Sequence, residues 1–323
     1  MDNKTIYKKT IGFSLWRVLW DLIAWAVFGL FVGVGFVIAD QTSSQGIAGL
    51  AIGAILGGIC AYIILHFVAY VYKAGQIAMM TEGVSKGKLP EKTVAAGKKI
   101  VKERFATVAA YYAITGVIKG IFRQVGNGIT AVGKAVGGDA GSTVGSTISS
   151  VINTIVDYLC DCCLGWVFYK KDQKAVESTL EGAVIFFKHG KTLVRNLGRI
   201  FGISLISFLV IGGIFFGLSY LILQAFPNEV NAFSAGIAES IARSGKEVPS
   251  FIYDTNAISL VYSGIIGVIF WLILHSTFVR PFILVGVLRN FIKSGDETKI
   301  SENDLAELDK KSSKFAKHRA EGQ

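Results

Sequence analysis

Two carboxylates set in an apolar run are the residues of this sequence best placed to do chemistry. Asp157 and Asp161 lie four apart, one helical turn. Counting back by four gives Asn153, Ser149, Gly145, Gly141, Gly137 and Gly133, and counting forward gives Gly165. Steps of four advance by about 40° in a 3.6-residue helix, so the series is a slowly winding stripe. Its glycine half lets another backbone approach closely. Its second half offers hydroxyl, amide and carboxylate groups. A carboxylate inside a bilayer costs about 2.5–3.5 kcal/mol on insertion scales, so it must face protein or water. Desolvation and a like-charged neighbour favour its protonation, and a bound cation opposes it. The chemistry this implies is a cation or proton-coupled site built from Asp157, Asp161, Asn153 and Ser149. Tyr158 and Trp166, with Tyr111 and Tyr112, are candidate cation–π partners, or interfacial anchors. The structural alternative pairs the two acids with Lys119, Arg123 or Arg17.

The elements that must position these groups are membrane helices. Of the 323 residues, 52% are hydrophobic and 17% charged, against roughly 25% charged in soluble domains. Mean hydropathy is +0.51. Several apolar runs reach the roughly 20 residues a helix needs to cross a bilayer. The net charge of +10 sits mostly in short segments flanking those runs, the signature of membrane topology and not of nucleic-acid binding. Three of the four cysteines form Cys160-Asp161-Cys162-Cys163, which on a helix turns the thiols to different faces. With no histidine nearby, this implies neither a metal site nor a disulfide framework. No phosphate loop, nucleophile–histidine arrangement or zinc-hydrolase helix is present, so no enzyme activity and no cofactor are expected.

The expected fold is an all-α integral membrane protein of about six transmembrane helices joined by basic, amphipathic cytoplasmic connectors. The spans are expected at about 19–39, 47–71, 105–123, 147–168, 200–225 and 258–279, within one membrane domain covering 1–293. The first apolar run reads as a span and not as a cleaved signal. Lys4, Lys8, Lys9 and Arg17 keep the N-terminus cytoplasmic, and a charged cytoplasmic tail follows at 294–323. Gly49, Gly53 and Gly57 form a small-residue ridge on the second span, as Gly133, Gly137, Gly141 and Gly145 do before the fourth. The Gly-rich stretch 126–146 reads as an external loop or a re-entrant element. Six spans satisfy every charge flank but one: an external connection between the third and fourth would hold Lys119, Arg123 and Lys134. Residues 175–199 read as an interfacial amphipathic helix or as a cytoplasmic extension of the fifth span. Arg280-Pro281 is expected to bend the sixth.

Gly141-Ser142-Thr143-Val144-Gly145-Ser146-Thr147-Ile148, leading to Asp157-Tyr158-Leu159, resembles the paired Gly-Ser motif of the choline transporter-like family. Cys162-Cys163-Leu164 with Trp166, then Gly190, Arg195-Asn196 and Arg199, follow in a similar order, and 99–113 is similar to a helix preceding an earlier span. The resemblance covers about 95–295. It implies transport of choline or related cations and carries over no binding residue, because the family's large external loop has no counterpart here. Two function classes follow: a transporter or channel for a small cation or amine, or a non-transporting scaffold or homo-oligomer that engages anionic membrane lipid.

Overall fold

The structure is a computed structural model that describes residues 1–43, 46–105, 112–121, 157–194, 197–243 and 247–322. Every regular element among them is helical. In chain order these are α1 (Asn3–Ser43), α2 (Gly46–Lys86), α3 (Thr93–Arg104), α4 (Tyr112–Ile121), α5 (157–169), α6 (Ala175–Val194), α7 (Leu197–Ser207), α8 (Gly213–Ala225), α9 (Pro227–Arg243), α10 (Thr255–Leu274), α11 (Arg280–Asp296), α12 (Glu302–Lys311) and α13 (Ser313–Gly322). Among the described residues, four helices are long and apolar enough to cross a membrane: Asn3–Ala39, Ala51–Lys86, Gly202–Ala225 and Thr255–Asp296. They contain the runs expected at 19–39 and 258–279 and most of those at 47–71 and 200–225. Of the other two expected spans, only the ten-residue α4 and the stretch from residue 157 onward fall among the described residues.

At 1.5 Å per residue, the 41 residues of α1 and of α2 each extend about 60 Å, twice the roughly 30 Å of a hydrocarbon core. Each helix runs through both of the compact units into which the chain divides. Unit 1 comprises 1–16, 69–200 and 281–323; unit 2 comprises 17–68 and 201–280.

Unit 1 has a packed interior. Ile6 and Phe13 of α1, Ile77, Met79 and Met80 of α2, most of α5, and Val285, Leu288 and Phe291 of α11 are buried. Two glycines bring α2 and α3 together: a Cβ on Gly97 would stand 2.7 Å from the carbonyl oxygen of Gly75. Gln76 donates from Nε2 to Ser14 Oγ at 3.0 Å and to the Thr10 carbonyl at 3.3 Å, satisfying a buried amide. The segment expected as a charged tail is folded. Leu308 of α12 and Phe315 of α13 are buried with Ile121 of α4 and with Leu180, Ala183 and Val184 of α6. Ser301 and Asp304 close a capping box on α12, and Lys188 of α6 meets Asp304 at 2.6 Å. Lys188 and Ser301 together hold the Asp304 carboxyl down at about 2.

Unit 2 is built of hairpins with apolar outer surfaces. Leu30, Ile55 and Leu221 are more than 60% exposed, which is compatible with a membrane-spanning role. Gly212 and Gly267 let the second hairpin close: a Cβ on Gly267 would stand 2.9 Å from the Gly212 carbonyl oxygen. Phe215 and Phe270 stack beside it at 4.3 Å. At the far end α9 and a 3-10 turn, Ser250–Tyr253, pack Val230, Ala238, Ile252 and Ile258 into a small core, and Asp254 caps α10. The sequence before Pro281 adopts a π-helical turn, His275–Val279, and a second π turn occupies Phe208–Gly212. Proline lacks an N–H and its ring crowds the carbonyl four residues back, which a wider turn relieves.

Candidate functional site

The two acids fall on α5, whose residues 158–168 are all buried. Asp161 is 4% exposed, and its Oδ1 lies 2.7 Å from Nζ of Lys73, itself one-third exposed. Lys73 is the first cation after the apolar run of α2. An isolated buried carboxylate is strongly disfavoured, and an ammonium at this distance removes most of that cost. Asp157, one turn earlier, is half-buried. Lys119 of α4 lies near enough to act electrostatically on Cys160 together with Lys73, Asp157 and Asp161. Ser149 and Asn153, like Gly133, Gly137, Gly141, Gly145 and Tyr111, lie outside the described residues.

Trp166 and Tyr158 are buried on the same helix. The indole Nε1 of Trp166 donates to Glu181 Oε2 at 3.0 Å, and Gln173 Nε2 donates to the other oxygen of that carboxylate at 3.0 Å. Phe291 meets the indole edge-on at 6.4 Å, and Gly295 leaves room for it: a Cβ there would be 2.6 Å from the indole Cη2 and closer still to Cζ3. The ammonium of Lys170 sits 5.0 Å from the Trp166 ring centroid, so the chain supplies its own cation at this π face. Gly165 permits the approach of α2, where Thr81 Oγ1 donates to the Gly165 carbonyl at 3.5 Å.

A second polar group of residues lies in unit 2, beside the π turns. His275 Nε2 is 3.0 Å from Ser204 Oγ, Trp271 Nε1 donates to Ser207 Oγ at 3.2 Å, and Arg17 donates from NH1 to the Ser276 carbonyl at 3.4 Å. The missed signal was the His275-Ser276-Thr277 run in an otherwise apolar span shortly before a proline. Sequence reasoning also missed Lys73 and Glu181 as partners of Asp161 and Trp166, since nothing local marks either.

The ridge of Gly49, Gly53 and Gly57 faces α1. Gly49 lies against Gly35, Gly53 against Phe31 and Val32, and a Cβ on Gly57 would be 3.0 Å from the Phe28 carbonyl oxygen. This ridge therefore closes an intramolecular hairpin. His66 packs on Tyr62, ring to ring at 4.5 Å. Among the described residues, no three His, Cys, Asp or Glu side chains gather as a metal site, and Cys60, Cys160, Cys162 and Cys163 are thiols. Comparisons with protein-family models, curated proteins and solved structures return no match.

Proposed function

We propose that this chain is an integral membrane scaffold that engages anionic lipid and carries no solute. The observation that carries the reading is the 2.7 Å pair of Lys73 and Asp161. A cation site needs a carboxylate that a solute can reach. Here the buried carboxylate holds the chain's own ammonium, in a helix whose neighbouring side chains are packed. Trp166 supports the same reading, because Lys170 already lies against its ring and Glu181 fixes its N–H.

The lipid-engaging half rests on charge. Unit 2 holds four Arg and Lys against six Asp and Glu, so the whole +10 excess belongs to unit 1. By the positive-inside rule that unit, with both termini, belongs on the cytoplasmic side of the membrane. Juxtamembrane basic residues attract anionic headgroups. Of the six crossings expected from the sequence, the reading retains four, at α1, α2, α7–α8 and α10–α11. In this reading α4 and α5 stay with unit 1.

Transport of a small cation or amine, choline-like in the family resemblance, is the second reading. It is favoured by the unit 2 cluster of Arg17, Ser204, Ser207 and His275 at two π turns, since ionisable groups and π turns within spans recur at functional sites. Uptake of labelled choline and simple amines into proteoliposomes separates the two. The scaffold reading expects no flux above protein-free vesicles. Flux abolished by Asp157→Asn or His275→Ala, in variants that keep the wild-type melting temperature, would establish transport instead.

A further inference from the structure

We infer that unit 1 carries a headgroup site for an anionic phospholipid on the outer face of α3, formed by Lys98, Lys99 and Lys102. It deepens the lipid-engaging half of the reading above. α3 divides its residues by face. Thr93, Gly97 and Val101 are buried, with Gly97 pressed toward Gly75, Met79 and Phe13. On the other side Ala95, Lys98, Lys99, Lys102 and Glu103 line an open concavity of about 520 Å³. Three lysines and one glutamate are among its lining residues. The Lys99–Glu103 pair, at 3.8 Å with both side chains more than 60% exposed, is too loose and too wet to neutralise the site.

Two features orient the site toward a membrane. Lys98 is held in place: its Nζ donates to Tyr72 OH at 2.8 Å and lies 4.3 Å from the Tyr72 ring centroid and 5.9 Å from that of Trp16. Those two rings stack on each other at 5.9 Å. Tryptophan and tyrosine in this role mark the level of the headgroups. Exposed apolar surface also begins here on α1, with Leu15 58% and Trp16 45% exposed. A soluble anion would gain only from the lysines, whereas a phospholipid gains from the lysines and from that surface. Arg104, next along α3, is not part of the site. Its guanidinium donates to the carbonyls of Lys170, Lys171 and Gln173 at 3.1, 3.3 and 2.7 Å.

The test uses the full chain in neutral detergent, with native mass spectrometry counting retained lipid. The probes are dioleoyl phosphatidylglycerol, dioleoyl phosphatidylcholine and inorganic phosphate. Wild type should retain one phosphatidylglycerol in about tenfold preference to phosphatidylcholine, and phosphate should not displace it. Lys99→Gln/Lys102→Gln leaves the Lys98–Tyr72 contact intact and should weaken retention by about tenfold without lowering the melting temperature. Lys8→Gln/Lys9→Gln, elsewhere on unit 1, should match wild type. If the Lys99/Lys102 variant retains lipid like wild type, the site is wrong while the lipid-engaging reading stands. If wild type shows no preference for phosphatidylglycerol, both fail. Displacement by millimolar phosphate would make the ligand a soluble anion and overturn the lipid assignment.

Discussion

Lys73 and Asp161 do not share water equally, and that inequality predicts which of them the fold can lose. The Lys73 side chain is 33% exposed and that of Asp161 4%. Lys73→Gln leaves a carboxylate in a packed interior without its ammonium, which should cost about 3 kcal/mol, the low end for a broken buried pair because one partner borders solvent. Asp161→Asn leaves an ammonium that can turn outward, and should cost about 1 kcal/mol. The double variant should be more stable than Lys73→Gln alone. Denaturant unfolding in detergent, run as a double-mutant cycle, measures all three. The reverse order of the single variants would mean that the pair does not hold α5 to α2. The sequence made it plain that an acid in this apolar run must face protein or water, and named Lys119, Arg123 and Arg17 as partners. For Asp161 one partner is Lys73 of α2, whose proximity exists only once α2 and α5 are packed. The same holds for Trp166 and Glu181, which meet only after the turn at 170–174 reverses the chain.

Between helices, the α1–α2 hairpin separates glycines that are needed from glycines that are merely present. Gly53 faces α1: a Cβ would stand 2.9 Å from the Val32 Cα and 3.0 Å from the Phe31 carbonyl carbon, and backbone atoms cannot rotate away. Gly58, on another face of α2, has nothing within 4 Å. Gly53→Ala should therefore destabilise the protein by about 1–3 kcal/mol by forcing the helices apart. Gly58→Ala should be neutral or stabilise by up to about 1 kcal/mol, since alanine is the better helix former. Melting temperatures of the two variants in the same detergent decide it, and an equal fall in both would mean that the ridge does not seat α1. A ridge of this kind is legible in sequence because four-residue spacing on a helix is a local property. The α12–α13 helices were not legible. Their apolar residues, Leu305, Leu308 and Phe315, are sparse among charges, and the face they form has value only against α6 and the end of α4. Nor does periodicity mark the π turns, whose polar residues lie within runs that otherwise read as uninterrupted spans.

At the level of the whole chain, the contacts of α4 bear on the charge that does not fit six crossings. A third span rising through 105–123 would carry Lys119, Arg123 and Lys134 to the outside, against the positive-inside rule. Ile121, at the end of α4, is instead buried with Leu308 and Phe315 of the C-terminal helices and with α6. A Cβ on Gly120 would stand 2.7 Å from the Lys314 side chain. The end of α4 is therefore packed with the C-terminal helices, and in the four-crossing reading proposed above it shares their side of the membrane. α5 pairs with Lys73, the first cation past the apolar run of α2, and the same reading puts it there too. Four crossings would return both termini to one face and would keep Lys119 there, as the positive-inside rule favours for a cytoplasmic face. In a background with Cys60, Cys160, Cys162 and Cys163 replaced by alanine, single cysteines read this out through a membrane-impermeant maleimide. Glu229→Cys on α9 should label in intact cells. Lys99→Cys on α3 and Ser142→Cys in the Gly-rich stretch should label only after permeabilisation. Labelling of Ser142→Cys from outside would restore the six-span count. It would also require α4 to leave the helices that bury Ile121, a change that hydrogen exchange at 302–322 would register independently.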